Sequence, residues 1–271
     1  MQLAYSPYSL QKKSKLNAKD VGSEQKGALI KVTDEGAWGV ADICPKPELG
    51  DLSLEQQIIS KDVLFLRAME LAIEDMLARK NQKSLLQNKF VKNNYLITDY
   101  SSEELNKVDY FNNTIKIKAD ADTMSLALKL NNLHEDIRVR LDFNSSLNAQ
   151  QFELFLSFLS EKAITAIEYI EDPTPINEQW KIWNSKVALA FDFQPTKYNS
   201  EFAHYHIIKP SRERLSHDLQ NVVLTSAMDH PVGVAHGLRL AQSYANKDSG
   251  FLTLNVFEDI GFNQYFEQKN N

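Results

Sequence analysis

Apolar and polar positions change their spacing twice along this chain. The first fifty residues are β-rich and turn-rich: Gly27–Val32 reads as a strand, Asp34-Glu35-Gly36 as a turn, and Ala37–Ile43 as a second extended run. After Pro45 and Pro47 the period lengthens. Ile58, Ile59, Val63, Leu66, Met69, Ile73 and Met76 recur at three- and four-residue intervals, which predicts one long helix from Leu54 to Leu77, capped by Asp51 or Ser53.

From about Asn93 short apolar runs alternate with polar-faced helical stretches. The spacing predicts strands at Tyr95–Thr98, Thr114–Ala119, Ile137–Phe143, Ile167–Ile170, Val187–Phe191, Tyr205–Ile208, Val222–Thr225 and Phe251–Leu254. Helical patterns separate several of them, at Thr123–Asn132, Ala149–Ala163 and Val232–Tyr244. Eight strands in βα alternation predict an α/β chain built on a modified (β/α)8, TIM-type barrel. The expected division is an abbreviated α+β capping domain over residues 1–92, a catalytic barrel over 93–255, and a tail over 256–271 that can complete the cap. An open doubly wound sheet is the alternative, because Asp192–His204 and Ser211–Gln220 leave little room for helices. No glycine-rich dinucleotide or phosphate loop supports it.

Composition narrows the function classes. The chain of 271 residues carries a formal charge of −6 and is 43% hydrophobic, so it can build a core and shows no electrostatic footprint for nucleic acid or an anionic membrane. Lys12, Lys13 and Lys15 read as a solvated loop. A single cysteine, Cys44, precludes an internal disulfide. With no signal-peptide layout and no spanning run, the expected address is the cytoplasm.

The charged residues on the strands point to chemistry. Thr114-Ile115-Lys116-Ile117-Lys118 sets two lysines on one strand face. The following strands end on Asp142, with Asn144 beyond it, then on Glu171, Asp192 and Lys209. In a barrel these ends meet at one mouth, where barrel enzymes place their chemistry. Three carboxylates gathered there would repel one another; an oxygen-preferring divalent metal resolves the repulsion, and Mg²⁺ suits such a carboxylate-only site. A lysine among cationic neighbours can then act as a base on a carbon next to a carboxylate. The histidines lack zinc spacing and read as structural or solvent-facing.

These residues carry a resemblance to the muconate-lactonizing subgroup of the enolase superfamily. Lys116-Ile117-Lys118 resembles its K-x-K element, Asp142, Glu171 and Asp192 its three metal ligands, and Lys209 the lysine facing K-x-K. The turn-rich Gly39–Asp51 is similar to part of the family's capping domain, and a lid near Pro47–Gly50 is expected from it. Within the subgroup, Arg140-Leu141-Asp142-Phe143-Asn144, the stretch Ser226–Gly233 and the short chain resemble the o-succinylbenzoate synthase family. One departure is Phe193, where an acidic residue often follows the third ligand.

The resemblance implies Mg²⁺-dependent dehydration of 2-succinyl-6-hydroxy-2,4-cyclohexadiene-1-carboxylate to o-succinylbenzoate, a step of menaquinone synthesis. It makes Lys118 the base and later the acid, Lys209 the electrostatic partner, and Lys116 the neighbour that keeps Lys118 deprotonated. Ser226, Ala227, Met228 and Asp229 would contact the substrate, or form a strand-to-helix turn with Asp229 as helix N-cap. Arg140 would reach substrate or brace the metal ligands. The rival readings are an N-acylamino acid racemase or dipeptide epimerase on the same scaffold, and a non-catalytic barrel binding protein. The implied partner is a small carboxylate; oligomeric state is not readable.

Overall fold

Three antiparallel strands open the chain: β1 (Gln2–Gln11), β2 (Glu24–Asp34) and β3 (Ala37–Ile43), paired in the order β1-β2-β3. The computed structural model describes residues 1–13, 22–87, 89–98, 100, 113–192, 201–215, 220–244, 247–259 and 261. Glu35 and Gly36 both have positive φ (48° and 82°), the conformation that a two-residue turn between twisted strands requires. Alternate residues of β2 and β3, among them Ala28, Ile30, Val32, Ala41 and Ile43, are buried against the helices that follow.

The single helix expected over Leu54–Leu77 is two: α1 (Leu54–Ser60) and α2 (Val63–Lys80). Lys61 adopts a left-handed conformation (φ 52°) and its N–H bonds to the Gln57 carbonyl, which ends α1; Asp62 then opens α2. Ser53, not Asp51, caps α1, in a reciprocal capping box with Gln56.

Seven parallel strands form the second sheet: β4 (Tyr95–Ile97), β5 (Thr114–Lys118), β6 (Arg138–Asp142), β7 (Ile167–Glu171), β8 (Leu189–Phe191), β9 (Tyr205–Ile208) and β10 (Val222–Leu224). Their spatial order is their chain order. The eighth strand, expected at Phe251–Leu254, is reduced to two residues just before it. Ser249 bridges Asn93 and Gly250 bridges Thr225, both in parallel sense. Four backbone bonds (Asn94 N–H to Ser249 O, Ser249 N–H to Lys92 O, Gly250 N–H to Leu224 O, Ser226 N–H to Gly250 O) join the two sheet edges and close the barrel. Leu254–Val256 is a 3₁₀ turn instead of strand.

Helices α3 (Thr123–Asn131), α4 (Ala149–Phe158), α5 (Glu161–Ala166) and α6 (Gln179–Asn184) cover one arc of the barrel, and α7 (Pro231–Tyr244) follows β10. The run Ala149–Ala163, expected as one helix, divides at Ser160, which caps α5. Ile115, Ile117, Val139 and Leu141 pack outward with Leu126, Phe152, Phe155, Trp180 and Trp183 in the largest core, leaving the alternate strand positions to face inward. No helix among the described residues is long and apolar enough to cross a membrane.

Candidate active site

Strand register places the charged ends in a row. Lys118 of β5 lies opposite Asp142 of β6, Asp142 opposite Glu171 of β7, and Glu171 opposite Ala190 of β8. The parallel sheet therefore brings to one mouth residues that are up to 93 positions apart, from Lys116 to Lys209. Lys116 Nζ lies 2.7 Å from Glu171 Oε2 and 2.9 Å from Asp142 Oδ2; Lys118 Nζ lies 2.5 Å from the same Asp142 oxygen. Lys209 pairs with Asp192. Asp142 Oδ1 accepts the Asn144 N–H at 3.2 Å, helped by the left-handed Asn144 backbone (φ 49°).

The electrostatics follow from this crowding. Burial alone would depress the Lys116 ammonium, but Asp142 and Glu171 outweigh it and hold that lysine protonated. Burial would raise Asp142, yet Lys116 and Lys118 keep it ionised far below the usual range. Glu171 is raised by burial and by Asp142. Lys209 is brought down to about 8, first by burial, against the pull of Glu171 and with the push of Lys116 and Lys118.

Above these residues a cavity of about 420 Å³ opens between cap and barrel, a volume suited to a small ligand. Lys116, Lys118, Asn144, Asp192, Lys209, Ser226, Ala227 and Met228 line it. From the cap come Lys46, Leu49, Gly50, Asp51, Val63 and Leu64. The cap is tied down by Arg212, which grips both Asp51 oxygens at 2.7 Å, and by Arg67, which donates to the Pro210 carbonyl.

Arg140 and Asp229 do not line the cavity. Fully buried inside the barrel, Arg140 donates to Glu168 (2.7 Å), Asn94 Oδ1 (3.0 Å) and the Asp248 carbonyl (2.7 Å). Asp229 accepts from the Ala227 N–H (3.1 Å), Ser211 Oγ (3.0 Å) and Ser226 Oγ (3.3 Å), so it shapes the turn from behind. It is not the cap of α7. That place is held by His230, whose Nδ1 accepts the Val232 N–H just before Pro231, while Asp42 of β3 accepts the His230 N–H at 3.0 Å. Burial and the nearby Asp229 raise the Asp42 carboxyl well above its usual range. His204 and His236 bond to Asn184 and to the Val40 carbonyl, and no histidine among the described residues lines the cavity. Lys15 and Phe193 lie outside the described residues.

Sequence reasoning passed over Asp172, which lines the cavity beside Glu171 and is raised well above its usual range by burial, Glu171 and Asp142. Its signal was its place in Glu171-Asp172-Pro173, where a positive φ (39°) turns the strand end inward. Lys46 and Arg212 left no such signal.

Among the described residues no three His, Cys, Asp or Glu side chains are gathered closely enough to form a metal cage unaided. Asp142, Glu171 and Asp192 are each paired with a lysine. One atom still suits a cation: Glu171 Oε1 is buried with no hydrogen-bond partner. An all-carboxylate donor set is also the chemistry that hard divalent ions take.

Fold and site together define a barrel enzyme of the enolase superfamily. An o-succinylbenzoate synthase structure from Thermosynechococcus elongatus, with Mg in its active site, superposes with TM-score 0.72 at 18% identity, over 96% of this chain and 95% of that one. An enolase family member from Agrobacterium tumefaciens, with homology to dipeptide epimerases, superposes with TM-score 0.71 at 14% identity, over 95% of this chain and 92% of that one. Sequence narrows the assignment further. Residues 3–78 match the O-succinylbenzoate synthase N-terminal domain. The o-succinylbenzoate synthase of Bdellovibrio bacteriovorus is 31% identical over 97% of this chain and 89% of its own length. The chain belongs to the o-succinylbenzoate synthase family, whose members are dehydrating lyases.

Proposed function

We propose that this chain dehydrates 2-succinyl-6-hydroxy-2,4-cyclohexadiene-1-carboxylate to o-succinylbenzoate, with Asp142, Glu171 and Asp192 holding a divalent cation, Mg²⁺ by the hardness of its oxygen donors. The observation that carries this reading is the in-register row of lysines and carboxylates under one ligand-sized cavity, in a chain of this family.

The bound cation would neutralise charge developing on the ring carboxylate as the adjacent carbon loses its proton. The rest falls to the chain's own residues. Lys118 takes the proton from the carboxylate-bearing carbon. The electron pair left behind forms the new ring double bond as the neighbouring carbon–oxygen bond breaks. Lys118 returns the same proton to the departing hydroxide, so water leaves and the ring becomes aromatic. Lys116, held protonated by Asp142 and Glu171, sets a fixed positive charge beside Lys118. Lys209 faces the same space and supplies positive charge when protonated. Ser226, Ala227 and Met228 bound the substrate on the β10 side, with Asp229 fixing their turn.

The test is the purified chain with the cyclohexadiene carboxylate, after EDTA and after return of Mg²⁺ or Mn²⁺. Formation of o-succinylbenzoate that EDTA abolishes and metal restores is the expected result. Its absence would overturn the assignment. A second reading, N-acylamino acid racemase or dipeptide epimerase, draws on one observation: a Lys209 held near 8 could serve as a base opposite Lys118. Deuterium entry at the α-carbon of N-succinylamino acids or dipeptides in D₂O, without dehydration, would decide for it.

A further inference from the structure

Among the described residues, every cation lining the cavity faces a carboxylate except Lys46. Lys116 and Lys118 meet Asp142, Lys209 meets Asp192, and Arg212 meets Asp51. Lys46 is only 4% exposed, and its Nζ has one hydrogen-bond partner, Gln25 Oε1 at 2.6 Å. Gln25 cannot turn away, because its Nε2 donates to the Pro45 carbonyl at 3.2 Å and the Lys26 carbonyl at 3.4 Å. No carboxylate among the described residues lies within 4 Å of this ammonium. Asp42, the acid that feels its charge, already spends both oxygens on Tyr8 and the His230 N–H.

A buried ammonium with one neutral partner is costly, and two of its N–H donors have no acceptor among the described residues. The turn nevertheless holds it firmly. Pro45 and Pro47 flank Lys46, its own N–H donates to Asp51 Oδ2 at 2.6 Å, and Arg212 anchors Asp51 to the barrel. Around it the cap side of the cavity is lined by the apolar Leu49, Val63 and Leu64. The cap end of the cavity thus sets the Lys46 ammonium beside apolar Leu49, Val63 and Leu64, with the neighbouring Asp51 already paired to Arg212, a setting suited to an anion.

We infer that Lys46 binds a second carboxylate of the ligand, the one ending the succinyl arm, and so selects dicarboxylates over monocarboxylates. This rests on the proposed dehydration, in which the ring carboxylate occupies the lysine and carboxylate row. Lys46 is then a specificity residue contributed by the cap, whereas the lysines of the proton transfer stand on a barrel strand.

The test compares binding of o-succinylbenzoate with that of 2-butyrylbenzoate, whose arm ends in a methyl group, by calorimetry in Mg²⁺. The wild type should prefer the dicarboxylate roughly 10- to 100-fold, as one charge-assisted hydrogen bond in a dry site provides. Lys46→Met should lose most of this preference by weakening the dicarboxylate alone, raising KM while kcat stays within about threefold. Lys46→Arg should keep most of it. Equal weakening of both ligands, an unchanged preference in Lys46→Met, or no preference in the wild type overturns the inference. If Lys46→Met does not fold, Lys46→Gln removes the charge, keeps a donor for Gln25, and carries the same comparison. A wild type that dehydrates the substrate while Lys46→Met keeps the preference sinks this inference and leaves the proposed function standing; a wild type that dehydrates nothing sinks the proposed function.

Discussion

Arg140 is where the structure makes its sharpest energetic claim. Replacing it with Met keeps much of its volume and removes the guanidinium. Glu168, 6% exposed, is left without its 2.7 Å partner, and Asn94 Oδ1 and the Asp248 carbonyl each lose a donor inside the barrel. Breaking a buried pair from one side costs about 3–5 kcal/mol. Lys247, 3.8 Å from the other Glu168 oxygen, offers partial replacement and puts the value toward the low end. At about 2–4 °C per kcal/mol for a chain of this size, Tm should fall by roughly 6–12 °C. Arg140→Met/Glu168→Leu should recover much of that loss, because no stranded charge remains. KM should stay near the wild-type value in the folded single variant, since Arg140 does not line the cavity. Thermal unfolding followed by circular dichroism, with steady-state kinetics beside it, reads all three quantities. A loss under about 1 kcal/mol, or a double variant no better than the single one, would refute the claim that the pair carries this charge.

Other consequences concern the cap. His230 is held at about 4 by burial, below its unfolded value near 6.5. Its contribution is therefore complete above pH 6.5 and is lost as pH falls towards 4, because the unfolded chain takes the proton first. Allowing for its partial solvent screening, the loss should be about 2 kcal/mol, and urea titrations of His230→Asn across that window should lack this slope. Gly39→Ala would push a methyl group into the Ala72 carbonyl and the Met76 backbone of α2; a destabilisation of about 2 kcal/mol or more in urea is expected. Cys44 is buried and its thiol pushed up to about 12, so Ellman's reagent at pH 8 should find no thiol in the native protein and one after guanidinium unfolding.

The contrast between what the chain announces and what it conceals lies in the kind of contact involved. The lysines and carboxylates were legible because a strand imposes a period of two, and a charge at the end of an apolar run breaks that pattern visibly. Their meeting was legible too, since parallel strands in chain order align their ends. Breaks that leave the pattern unchanged were hidden. Apolar residues continue on both sides of Lys61, with Leu54 and Ile58 packing in one core with Leu64, Phe65 and Ala68, so spacing never registers the left-handed residue; Ile59, Val63 and Leu66, which carried the expected period, are exposed. Phe251 looked like strand because it is apolar, but its ring lies close against Gly237 of α7, and Ser249 and Gly250 do the pairing.

Height within the barrel was equally invisible. Arg140 and Asp142 share a strand face, and sharing a face suggested a shared site. Two residues along a strand are nearly 7 Å of rise, enough to put Asp142 among the lysines at the mouth and Arg140 in the interior with Glu168. Lys46 is the opposite case. Nothing in Ile43-Cys44-Pro45-Lys46-Pro47 marks its lysine as buried, because the burial comes from Gln25, 21 residues earlier, and from closure of the cap over the barrel. A charge whose environment is assembled by tertiary contact carries no local signal, yet such a charge is well placed to choose among substrates. The residues proposed to perform the proton transfer can therefore be read from one strand at a time, whereas the residue inferred to recognise the succinyl arm emerges only when the two sheets are brought together.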